Sequence, residues 1–185
     1  MLTEDYLLRM INLALAALVR IVGLKATGQY REALQEIDQT LGEMFGMRAD
    51  LIKRLDDRVL LNSLTFHGFL DIERISIVSD IYKEEGDILT LQGRTSECYW
   101  SYLRSLNLSI EVALNSGASE NVPPANNSVN SIPLDIKIKT LLQKLEAYNL
   151  PQETLYALAS YYEQAGDTAR AEAILAELKT KPGFP

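Results

Sequence analysis

The sequence predicts an all-α protein built from helix hairpins, with about eight or nine helices. Three observations carry this. Apolar residues recur at three- and four-residue spacing along most of the 185 residues, which is the period of one helix face. Gly28, Gly46, Gly68, Gly86, Pro151 and Gly166 fall between those stretches, where helices end and begin. Only Arg74–Tyr82 alternates even in part, and no second strand lies nearby to pair with it.

The first helix is expected from about Glu4 to Lys25. Its polar residues Arg9, Asn12 and Arg20 share one narrow stripe, completed by Ala16, and the rest of its circumference is apolar. A helix apolar over so wide an arc needs cover on more than one side. It is the central helix of the fold or part of a dimer interface, and the burial argument favours the former. Thr27-Gly28-Gln29 ends it, glycine suiting the positive φ of a helix C-terminus. A second helix presents Ala33, Leu34, Ile37, Leu41, Met44 and Phe45, and Gly46 closes it. Residues 48–68 suggest two short helices ending at His67-Gly68. Asp71 is a suitable N-cap for the next helix, which carries Ile75, Val78, Ile81 and Tyr82 on one face. Glu85-Gly86-Asp87 is expected as a sharp turn, followed by a long helix marked by Leu91, Thr95, Cys98, Tyr102, Leu106 and Ile110.

Residues 115–133 change character. Asn, Ser, Gly and Pro dominate there, as in a flexible linker or exposed loop. The chain accordingly divides into an N-terminal helical region, 1–114, this linker, and C-terminal helices over 134–185. Ile138, Leu141, Leu142 and Leu145 form one helical face. Pro151 is placed to open a helix over 152–165, joined at Gly166-Asp167 to another over 167–180.

The stretch from Thr154 to Pro182 holds Leu155, Leu158, Ala159 and Tyr162, then the Gly166-Asp167 turn, then Ala171, Leu175 and Leu178. Small Ala159 and Ala171 let two helices approach, and the large residues fill the space around them. This stretch resembles the tetratricopeptide repeat, a 34-residue helix-turn-helix. It departs from the family in having Leu155 for the usual Trp, Ala159 for Gly, and the proline one place early. The same frame fits more loosely around Gly28 (Ala17, Ile21 and Leu24, then Ala33 and Ile37). It also fits loosely around Gly86 (Ile75, Val78, Ser79 and Tyr82, then Leu91, Thr95 and Cys98). The three turn glycines are not spaced in multiples of the repeat length. The resemblance therefore implies a tetratricopeptide-like helical array with insertions. A second likeness covers most of 1–115. Asp5-Tyr6, Arg9-Met10-Ile11, Gly23-Leu24-Lys25 and the hairpin through Tyr30, Glu32, Ala33 and Leu34 are similar to the start of an uncharacterised bacterial helical family, a domain of unknown function. That resemblance implies a bacterial source and no particular activity.

Composition excludes several roles. The formal net charge is −7, and Lys and Arg form no cluster. Phosphate-rich surfaces demand clustered cations, so neither nucleic acid nor an anionic membrane is an expected partner. Met10 to Val19 is apolar apart from Asn12 but follows Glu4 and Asp5, whereas an export signal begins with positive charge. Arg9 and Arg20 bracket too short a run to span a bilayer. A cytoplasmic location is the expectation. The single cysteine, Cys98, permits no intramolecular disulfide and suits a reducing compartment.

No catalytic, cofactor-binding or metal-binding constellation is legible. His67 is the only histidine and sits at an expected helix end, where it suits the last carbonyls. Cys98 shares an apolar face and packs as a small hydrophobe. Asp56-Asp57 and Glu84-Glu85 are adjacent pairs that do not face one another on a helix, so they are expected as solvated charge. Tyr162 is expected in the core. Tyr156, Ser160, Glu163 and Gln164 fall where such hairpins face a groove, and an exposed Tyr suits an interface. The expected function is thus a non-enzymatic helical scaffold for a protein or peptide partner. The alternatives are a structural homodimer assembled through the apolar first helix, and a small enzyme with an unrecognised site.

Overall fold

A computed structural model describes residues 2–66, 68–116 and 132–180. Among them are nine helices and one two-stranded ribbon: α1 (Leu2–Ala26), α2 (Tyr30–Phe45), α3 (Ala49–Ile52), α4 (Asp57–Ser63), β1 (Thr65–Phe66), β2 (Phe69–Leu70), α5 (Ile72–Leu91), α6 (Thr95–Ser116), α7 (Leu134–Lys144), α8 (Gln152–Gln164) and α9 (Thr168–Thr180). The protein is all-α, as expected. Most of the expected linker, and His67, lie outside the described residues.

The spine is the α5–α6 hairpin. Its turn is at Gly93, with φ of +72°, and not at Gly86 as the sequence suggested. Gly86 is buried in the middle of α5. The error has a packing cause. Ser79, Ser105 and Ser109 are fully buried where the two helices cross. Ser79 Oγ donates to the Ser105 carbonyl at 2.9 Å and lies 2.8 Å from Ser109 Oγ, while Ser105 Oγ donates to the Ser79 carbonyl at 2.8 Å. Small residues bring these helices together, and Gly86 belongs to that contact. Moving the turn also moves the apolar face. Leu91 and Thr95, expected inside, are exposed at the two sides of the bend, and burial begins at Cys98.

Two apolar clusters meet along the spine. One gathers Ile11, Ala14 and Ile21 of α1, Ile37 and Leu41 of α2, and Ile75, Val78 and Ile81 of α5, and reaches α3 and α4 through Ile52 and Leu60. The other joins Leu89, Cys98, Tyr102 and Leu106 to Ile138 and Leu141 of α7, Leu155 and Leu158 of α8, and Leu178 of α9. The C-terminal helices therefore pack directly on α6. Within the α8–α9 hairpin, Ala159 and Ala171 are buried, and Gly166 takes a φ of +79° at the turn. Tyr162, expected in the core, is only half-buried, with the Arg170 guanidinium over its ring.

α1 does not take the central place that its composition favoured. It lies outside α2 and α5; the stripe through Ile11, Ala14, Ala17 and Ile21 is buried, with Met10, Leu15, Leu18 and Leu24 half-buried beside it. Arg9, Asn12, Ala16 and Arg20 are exposed, and so are large apolar side chains on both flanks of that stripe.

Candidate functional site

α5 carries five charged residues within about two turns: Asp80, Lys83, Glu84, Glu85 and Asp87. The expectation that Glu84 and Glu85 are solvated is overturned, since both are buried. Adjacent residues on a helix point about 100° apart, so each carboxylate enters a different network. Glu84 and Asp87 take ammonium groups from three elements. Lys25 reaches both, Lys83 reaches Glu84 at 2.9 Å and Asp87 at 3.0 Å, and Lys144 reaches Asp87 at 2.8 Å. The Tyr102 hydroxyl also donates to Asp87 at 2.8 Å. Burial works against the Asp87 charge. Lys144, Lys83 and Tyr102 outweigh it and hold the carboxyl well below its ordinary range. Burial likewise opposes the Lys83 charge, yet Glu84 and Asp87 keep its ammonium above the usual lysine value. For the Tyr102 hydroxyl, burial and the neighbouring Asp87 raise the pKa.

Glu85 faces the other way, into a cleft of about 800 Å³ bounded by α2, the α3–α4 junction, α4, α5, α6 and α8. It accepts from Ser101 Oγ at 2.8 Å and pairs with Lys53, which also reaches Asp38. Arg104 forms the second centre of the cleft. It donates to Asp57 at 2.8 Å, to the carbonyls of Ile52 and Lys53 at 3.3 and 3.2 Å, to that of Leu55, and to the Tyr82 hydroxyl at 3.4 Å. Asn107 donates to the other Asp57 oxygen at 2.7 Å and accepts from Thr154 at 2.9 Å. Asp57 is thus a bonded group rather than a solvated one. Its neighbour Asp56 caps α4 by accepting from the Arg58 amide at 2.8 Å. Sequence reasoning missed Arg104 altogether, because its partners lie about fifty residues away and leave no local spacing signal.

This chemistry is mutual. The four cations of the cleft, Lys53, Arg58, Arg94 and Arg104, each face a carboxylate of the same chain. Lys53–Glu85 and Arg104–Asp57 tie the α3–α4 region to α5 and α6, Arg58–Glu153 ties α4 to α8, and Arg94–Glu97 is local to the start of α6. Among the described residues no group of three or more metal-ligating side chains converges.

The residues expected to bind a partner are on the surface: Tyr156, Ser160, Glu163 and Gln164 stand exposed along α8. α8 lines the cleft through Glu153, Thr154 and Ala157 instead. Cys98 is buried, its thiol donating to the Thr95 carbonyl at 3.2 Å.

The larger unexplained feature is on α1. Tyr6 is 63% exposed, Leu8 and Leu13 each 55%, Val19 58% and Val22 43%. Asp5–Ala26, with a mean hydropathy of 1.9, also has the length and composition of a helix able to cross a membrane. Tyr6 and Leu13 border a shallow groove against α2 that includes Thr40, Glu43 and Met44. No known protein family, curated protein or solved structure matches the chain.

Proposed function

We propose that this chain is a non-enzymatic helical scaffold that binds a polypeptide partner, with the outer face of α1 as the binding surface. The observation that carries this reading is the exposure of Leu8, Val19 and Val22 on one flank of α1 and of Tyr6 and Leu13 on the other. Exposed large apolar side chains gathered on one element mark interaction sites. The rest of the molecule suits a scaffold. Its buried charges neutralise one another, and two apolar clusters between them reach from α1 to α9. The α8–α9 hairpin, with Ala159 and Ala171 both buried, supports reading that pair as a tetratricopeptide-type unit. The exposed Tyr156 face of α8 is a second, smaller surface of the same kind.

The test is a photoreactive residue at position 19 of the full-length protein, activated in cells of its source. A polypeptide adduct of fixed stoichiometry, lost when Leu8→Lys is added, is the expected result. Adducts to lipid acyl chains, or adducts unaffected by Leu8→Lys, overturn the reading.

A further inference from the structure

The cleft beside Arg104 is unbalanced in charge. Among the described residues, seven carboxylates line it against four cations. Lys53, Arg58, Arg94 and Arg104 are each committed to a carboxylate of the chain, which leaves three without a cation of their own. Asp38 shares Lys53 with Glu85, Asp56 caps α4, and Glu111 has the Asn115 amide at 3.3 Å. Glu111 is half-buried, and burial raises its pKa with no cation of the described residues opposing it.

A single face of α6 runs along the cleft. Trp100, Arg104, Asn107 and Glu111 all line it, and spacings of four, three and four put them on one side of the helix. From Trp100 to Glu111 the stripe is about 16 Å long by the helical rise. Trp100 stands at one end, 65% exposed. Tyr99 meets its ring edge-on with centroids 4.9 Å apart, and Tyr148 packs against Tyr99 at 4.9 Å. The indole is braced on one side and open on the rest.

We propose that this cleft binds an extended, arginine-bearing segment of a polypeptide partner, with one guanidinium against Trp100 and another cationic side chain on Glu111. The site is separate from the α1 face, and neither needs the other. Charge complementarity selects the sign. A cation gains partners that the chain leaves unneutralised, whereas an anion would have to displace an internal pair. Trp100 selects arginine, because a guanidinium is attracted to an aromatic face and stacks on it. Size selects a chain. Five extended residues cover about 16 Å, the length of the stripe, and their side chains reach carboxylates carried by α2, the start of α4 and α6. The volume of about 800 Å³ is at the upper end for small-molecule sites and exceeds what a slender polyamine fills.

Trp100 is the chain's single tryptophan, so its fluorescence reports on the cleft directly. The full-length protein is titrated at about 50 mM salt, where screening is modest, with a decapeptide alternating arginine and serine and one alternating glutamate and serine. A saturable change is expected with the arginine peptide and none with the glutamate peptide. Glu111→Lys should weaken binding about tenfold by placing like charge on the site. The near-isosteric Glu111→Gln should weaken it less, and keeps the test open if the lysine disturbs folding. Glu172→Lys makes the same change of net charge on an exposed position of α9 and should have little effect. By calorimetry Trp100→Leu should cost about threefold. Leu8→Lys should change nothing. Absence of saturation, equal losses in Glu111→Lys and Glu172→Lys, or full affinity in Glu111→Gln overturns the proposal. Loss with Leu8→Lys places the peptide on α1 and overturns it too. Spermine that displaces the peptide at a lower concentration than the peptide itself needs overturns the polypeptide as occupant. A failed titration leaves the α1 reading, which the cross-link at position 19 tests, untouched.

Discussion

The ring of Tyr102 lies where Gly86 has no side chain: a Cβ built on Gly86 would be 2.5 Å from Tyr102 Cε1 and 2.6 Å from Cδ1. A glycine in mid-helix costs about 1 kcal/mol relative to alanine, and α5 accepts that cost for the contact. Gly86→Ala should therefore destabilise despite its better helix propensity. Overpacking of this kind costs about 1–3 kcal/mol, and urea unfolding measures it. Adding Tyr102→Ala should cost less than the sum of the two single changes. Additive losses would show that the two residues do not share the space.

Asp87 should give the protein a stability that disappears in acid. Its folded-state pKa is lowered beneath the ordinary value of about 3.8. The stabilisation is fully present above that value and is lost as pH falls through it towards the folded pKa. Unfolding free energy should decline below about pH 5, and Asp87→Asn should flatten the decline. Identical acid profiles for the two proteins would remove Asp87 as the cause.

Lys137 should behave in the opposite sense. It is 5% exposed and pairs with Asp80, and its burial outweighs that pairing and lowers its pKa. The folded state disfavours its charge, so stability should rise as pH climbs through the folded pKa towards the ordinary lysine value. Leaving a buried charge unpaired costs about 3–5 kcal/mol; Lys137 is the buried member of this pair, while Asp80 keeps contact with solvent when the lysine is removed. Lys137→Met should leave the melting temperature unchanged or raise it, and Asp80→Asn should lower it. Equal losses in both variants would contradict the argument.

Arg104 should be irreplaceable by lysine. Its planar fork serves Asp57 and three carbonyls at the α3–α4 junction at once, a geometry that an ammonium cannot reproduce. Arg104→Lys should speed amide exchange over residues 49–63 at least tenfold while the α5–α6 amides keep their protection. Uniform acceleration across the protein would instead indicate global destabilisation.

The legible parts of the fold were those encoded by neighbours in sequence. The cap at Asp71, the Gly28, Gly46 and Gly166 ends, and the three- and four-residue spacing that set the helices are local signals. Gly86 misled because a turn glycine and a packing glycine are the same letter, and only the facing Tyr102 distinguishes them. Glu84 and Glu85 misled because charge next to charge usually means solvent, and the lysines that pair with them come from α1, from α5 itself and from the residue after α3. The uncovered apolar side chains of α1 stayed hidden because apolar residues cover so much of that helix.

The sequence by itself determined that this protein is helical, where most of its helices begin and end, and that it carries an acidic excess. Those properties follow from φ preferences, capping and periodicity, which act over a few residues. Tertiary structure alone decided that α5 and α6 form the centre and α1 the outside. It alone decided which carboxylates are buried, and which apolar side chains of α1 are left uncovered. These depend on what each side chain meets from tens of residues away, and no local pattern carries that information.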